Sequence, residues 1–121
     1  MAQVVALVDD IFFQAKLIET AKQLGVELRT CTTADALANE IDARAPKLIV
    51  VDLNARSNPL EAIERVRGSA CGSEIPLIAF LSHVQVDLAA RARAAGCADV
   101  MPRSKFTQNL ATILARAKSE S

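Results

Sequence analysis

The chain has 121 residues, within the usual size of one domain. Fourteen Lys and Arg residues balance fourteen Asp and Glu, so no net charge draws the chain toward nucleic acid or an anionic membrane surface. Hydrophobic residues make up 51% of the sequence, yet the longest apolar runs, such as residues 4–8 and 48–51, fall far short of the roughly 20 residues that a membrane-spanning helix needs.

The opening Met1-Ala2-Gln3 shows no basic stretch leading into an apolar block, as a secretory signal would. Residues 3–8 are short, apolar and rich in Val, which predicts a buried strand. Residues 11–24 place Ala15, Leu17, Ile18, Ala21 and Leu24 near helical spacing, and Gly25 follows as a C-cap signal. A weaker strand is expected over 26–30. Thr32 and Thr33 are N-cap candidates for a helix running to Arg44, with Asp35 favouring its first turn and Pro46 ending it. Residues 47–53, KLIVVDL, are the most strand-like run in the chain. A polar turn over 54–59 carries a Pro that can open a helix over 60–68.

Residues 75–81 form the next buried strand, and an Ala-rich helix over 84–95 stops at Gly96. A fifth strand covers 98–101. Phe106, Leu110, Ile113, Leu114 and Ala117 then mark one amphipathic last helix. Arg91, Arg93, Arg103, Lys105, Arg116 and Lys118 make the last third mildly basic; solvated helix faces or a partner patch both account for them. Three cysteines, Cys31, Cys71 and Cys97, are odd in number and show no metal-ligand spacing, which fits reduced, mostly buried thiols in a cytoplasmic protein.

Five strands alternating with helices predict one α/β domain over residues 1–121: a (βα)5 three-layer sandwich, its parallel sheet covered on both faces by right-handed crossovers. In the strand order 2-1-3-4-5, the first and third strands are neighbours at the point where the order reverses. Ligands of such sheets bind there, beyond the carboxyl ends of the strands. Asp9 and Asp10 follow the first strand, and Asp52 lies near the end of the third. Three clustered carboxylates repel one another unless a cation compensates. Mg²⁺, a hard ion that takes oxygen ligands, is the natural candidate. The plainer alternative is that each Asp caps the helix after it. Ser82 ends the fourth strand and could bond a phosphate oxygen, or act as a turn residue. Arg103 follows the fifth strand; its guanidinium can fork onto a carboxylate or a phosphate.

From Val4 to about Ala117 the chain resembles a response-regulator receiver domain of two-component signalling, a flavodoxin-like fold. Asp9 and Asp10 in LVDD match that family's acidic pair, Asp52 in IVVDLN its phosphoacceptor, and Ser82 in IPLIAFLSH its Thr or Ser after strand four. Arg103 falls on its Lys after strand five. The resemblance implies a switch in phosphorelay signalling, not an enzyme with turnover. A histidine kinase or phosphotransfer protein would donate a phosphoryl group to Asp52. Asp9, Asp10, Asp52 and the Asn54 backbone carbonyl would hold Mg²⁺. Ser82 would bond the phosphoryl group and draw the following loop inward. Output would pass to a downstream protein partner, with no direct nucleic-acid or membrane contact, and a homodimer through the last helices is consistent with family behaviour.

The departures from the pattern bear on that expectation. Arg103 is larger and planar where the family has a point-charge Lys, and could bridge to Asp52 and mimic a fixed state. Ser104 replaces the usual Pro, and Val100 the usual aromatic switch residue. The LNARSNPLE loop lacks the common Met-Pro and Asp-Gly pieces. Ile11-Phe12-Phe13 follow the acidic pair where polar residues are common. Either both Phe rings form a docking patch, or one belongs to the core and one is partly covered. Two other functions stay open. One is a pseudo-receiver acting as an interaction module without phosphorylation. The other is a Mg²⁺-dependent phosphatase or phosphotransferase with an Asp nucleophile, although its usual Asp-x-Asp and cap insertion are missing.

Overall fold

A computed structural model describes residues 3–56, 58–70, 72–82, 85–97 and 99–118. The apolar runs form five parallel strands: β1 (Val4–Leu7), β2 (Leu28–Cys31), β3 (Leu48–Asp52), β4 (Leu77–Leu81) and β5 (Asp99–Pro102). Their order in the sheet is β2-β1-β3-β4-β5, the order that the flavodoxin-like resemblance implies. β1, β3 and β4 are buried along their whole length, which explains why they read as continuous hydrophobic runs.

The helices are α1 (Ile11–Leu24), α2 (Ala34–Arg44), α3 (Pro59–Gly68), α4 (Val86–Ala95), α5 (Arg103–Gln108) and α6 (Leu110–Lys118). Thr33 caps α2 by accepting the Ala36 N–H, Pro59 opens α3, and Gly25 ends α1 in the left-handed conformation at φ 73°. Two strands, β2 and β4, start two residues later than the sequence suggests. Val26 donates its N–H back to Ala21 O and so belongs to the end of α1, while Pro76 has no N–H to give to a ladder. The starts expected at residues 84 and 98 lie outside the described residues.

The last helix is not one helix. α5 and α6 are separated at Asn109, whose backbone and side-chain N–H groups both donate to Lys105 O. An Asn that takes the backbone's own acceptor halts the helix locally. The apolar stripe nevertheless carries across the break, because Phe106, Leu110, Ile113, Leu114 and Ala117 are all buried.

The two sheet faces carry separate cores. One gathers Val5, Leu7, Ile49, Val51, Leu77, Ala79 and Leu81 beneath α2, α3 and α4. The other gathers Val4, Ala6, Leu48, Val50, Ile78 and Phe80 beneath α1, α5 and α6. The period of two along each strand makes this division. It also sends Asp52, two residues after Val50, toward the face of α1 and α5. Among the described residues no helix is long and apolar enough to cross a membrane.

Cys31 and Cys97 are buried free thiols, and burial pushes both up to about 11. Cys71 lies outside the described residues. On a Cys71→Ser background, both remaining thiols are expected to react slowly with an aromatic disulfide reagent at neutral pH, and rapidly once denaturant is added. Fast labelling of the native protein would contradict their placement.

Candidate functional site

Asp52 is the one polar residue in the core among the described residues, at 3% exposure. It ends β3 beside Phe80 of β4, its register partner. Its Oδ1 accepts the Asn54 N–H at 2.9 Å, and its Oδ2 accepts from an Arg103 terminal nitrogen at 3.3 Å. Burial pushes the Asp52 carboxyl above its ordinary range. The Asn54 N–H and the Arg103 charge pull against that shift, and the Asp9 charge adds to it.

Arg103 opens α5 and reaches back across the ends of the strands. Its other terminal nitrogen donates to Asp10 Oδ2 at 3.4 Å, so one guanidinium joins Asp10 to Asp52. The direct bridge to Asp52 that the larger side chain allows is therefore present. The guanidinium carbon lies 4.6 Å from the Phe13 ring centre and 5.6 Å from that of Phe80. An electron-rich ring face attracts such a cation. The Arg103 Nε is buried with no hydrogen-bond partner.

Asp10 does two things. Its Oδ1 caps α1 by accepting from the N–H groups of Phe12 and Phe13, at 3.0 and 3.3 Å, while its Oδ2 faces Arg103. Helix capping thus accounts for Asp10 in part. It does not account for Asp9, whose Oδ2 accepts the Arg56 N–H at 2.9 Å, or for Asp52, because α3 starts from Asn58.

Ser82 sits at the end of β4 and is exposed. Its backbone N–H and its hydroxyl both donate to Asn54 Oδ1, at 2.6 and 2.8 Å. The Asn54 amide in turn donates to Gln85 Oε1 at 2.9 Å, just before α4. The loops after β3 and β4 are thereby tied together through one side chain.

Of the two Phe rings after the acidic pair, Phe13 is core at 7% exposure and Phe12 stands out at 88%. Ile11 is exposed beside it, so the second ring is bare rather than partly covered.

The carboxylates and carbonyls here are the hard oxygen donors that Mg²⁺ takes, so the donor chemistry fits that ion. The arrangement with Arg103 in place does not. Among the described residues no three His, Cys, Asp or Glu side chains are grouped to hold a metal, and the facing oxygens of Asp10 and Asp52 are turned to the guanidinium.

Sequence reasoning thus finds Asp9, Asp10, Asp52, Ser82 and Arg103 at one end of the sheet. It misses the ring seat of Phe13 and Phe80, the backbone N–H of Arg56, and the side-chain role of Asn54, which it considers only for its carbonyl.

No family model and no curated protein sequence matches the chain. Solved structures do. The chemotaxis response regulator CheY4 of Vibrio cholerae superposes with a TM-score of 0.83 at 19% identity, covering 97% of this chain and 98% of that one. The receiver domain of NtrX from Brucella abortus gives 0.79 at 21% identity over 98% and 99%. The phosphorylated cyanobacterial phytochrome response regulator RcpA gives 0.75 at 19% identity over 100% and 97%. With the strand order and the placement of Asp52, these likenesses establish that the chain has the fold of a response-regulator receiver domain.

Proposed function

We propose that the chain is a single receiver domain that accepts a phosphoryl group at Asp52 in phosphorelay signalling in the cytoplasm, and passes the signal on by protein contacts. The observation that carries this reading is the burial of Asp52. A carboxylate is costly to place in a core, and such a group persists mostly where chemistry uses it. In this reading a carboxylate oxygen of Asp52 attacks the phosphorus of a phosphohistidine on a kinase or phosphotransfer protein. The O–P bond forms as the P–N bond breaks, and the donor leaves as free imidazole. Ser82 and Arg103 then bond the phosphoryl oxygens. Asp9, Asp10, Asp52 and the Asn54 carbonyl would hold Mg²⁺, which when bound neutralises charge on the transferring group. Once the Ser82 hydroxyl turns to the phosphoryl group, Asn54 Oδ1 loses one of its two Ser82 donors and the tie between the loops after β3 and β4 is weakened. Output through a downstream protein, and pairing of two copies, belong to the same proposal.

The test is intact mass after incubation with Mg²⁺ and acetyl phosphate. One added phosphoryl group is expected on the wild type and none on Asp52→Asn. Unmodified wild type that also ignores beryllofluoride would overturn the reading. It would favour a phosphorylation-independent interaction module, which the existing Arg103 bridge to Asp52 supports.

A further inference from the structure

We propose that the Arg103 guanidinium is the resident cation of this pocket, and that a divalent cation enters only by displacing it from Asp10 and Asp52. The inference rests on the reading above and concerns the same carboxylates.

Each carboxylate divides its two oxygens in the same way. Oδ1 of Asp52 takes the Asn54 N–H, and Oδ1 of Asp10 takes the N–H groups that open α1. Those bonds hold the backbone in place. What remains on both residues is Oδ2, and one guanidinium spans the two. Mg²⁺ binds oxygen at about 2.0–2.1 Å in a near-octahedral shell. Such a shell cannot form on oxygens whose open side is filled by nitrogens at 3.3 and 3.4 Å. The two cations therefore exclude each other.

The guanidinium has a built seat. It lies against the rings of Phe13 and Phe80, which are packed on each other and on Phe106. A Lys would be a compact point charge without the planar fork that spans two carboxylates. The seat is also one that can be vacated. Tight charge-assisted pairs measure about 2.7–2.9 Å, and both contacts here are longer. The buried Nε has no partner, and movement outward would return it to water. Competition, rather than a permanent block, follows from that geometry.

The test is calorimetric titration of the full chain with Mg²⁺ alone, comparing wild type, Arg103→Gln and Arg103→Lys. Removing the competing charge is expected to tighten Mg²⁺ binding about 10- to 100-fold in the Gln variant. The Lys variant should fall between. Melting of Arg103→Gln should rise with Mg²⁺ over EDTA by more than that of wild type. Equal affinities across the three proteins, tighter binding by wild type, or no binding by any of them would overturn the proposal. Should the Gln variant fail to fold, the Lys variant decides, since it must still bind Mg²⁺ more tightly than wild type. Phosphoryl uptake separates the two readings. Its absence from wild type and Arg103→Gln, alongside the expected titrations, removes the receiver reading and keeps the competition. Uptake with equal affinities does the reverse.

Discussion

Phe80→Ala is expected to destabilise the fold by about 4 kcal/mol, the middle of the range for deleting a fully buried aromatic ring. Phe80 is wholly buried in β4, stacked on Phe106 at 4.6 Å between ring centres and tilted against Phe13 at 5.0 Å. Three losses combine. The apolar area that the ring removes from water on folding is gone, a cavity opens between β4 and α1, and two aromatic contacts worth about 0.5–1.5 kcal/mol each disappear. In a domain whose whole stability is about 5–15 kcal/mol, that is a large share. Urea unfolding followed by circular dichroism measures it. Phe12→Ala is the matched comparison, because that ring is 88% exposed and its removal should change stability by no more than about 0.5 kcal/mol. A cost below about 1 kcal/mol for Phe80→Ala would mean that the three rings do not pack as a unit.

The same cluster shows how far a sequence can be read. The two-sided cover of the sheet and the face of Asp52 follow from local patterns, whereas the strand order comes with the family resemblance. Continuous apolar runs mark strands buried on both sides, and Leu48, Val50 and Asp52 alternate onto one side. Asp9, Asp10, Asp52 and Ser82 are legible because they sit at strand ends, where topology alone gathers them. Arg103 is legible in place but less so in reach. Its side chain could point to solvent or inward, and the choice is made by rings on α1 and β4 that are distant in sequence. The role of the Asn54 amide has the same origin, since its partners Ser82 and Gln85 lie on another loop. Only the break at Asn109 carries a local signal, an Asn inside an apolar stripe, and there the stripe outweighs it when the sequence is read alone.

Arg103→Met in EDTA is expected to cost about 2 kcal/mol at neutral pH, and distinctly less at mildly acidic pH. Removing one partner of a buried pair costs about 3–5 kcal/mol, and the figure is lower here because Arg103 is partly exposed and its contacts are long. The sign of the pH dependence follows from Asp52. Burial already holds its carboxyl above the ordinary range, and the Arg103 charge is among the influences that pull it back down. Without Arg103 the folded-state value rises further, while the unfolded value stays ordinary. A carboxyl raised in this way contributes stability that is fully present below its unfolded pKa. That stability is lost as the pH climbs through the folded pKa, where the folded protein must bury a charge. The deficit of the variant relative to wild type should therefore widen from acid to neutral pH. Groups that Arg103 does not touch are the same in both proteins and cancel in the difference. On an Asp52→Asn background the same Arg103→Met change should lose most of its pH dependence, because the group that titrates is gone. Urea unfolding of the four proteins at several pH values completes the cycle. A deficit that stays constant with pH, or that survives unchanged on the Asp52→Asn background, would show that Arg103 stabilises the fold through its rings and Asp10 rather than through the charge of Asp52.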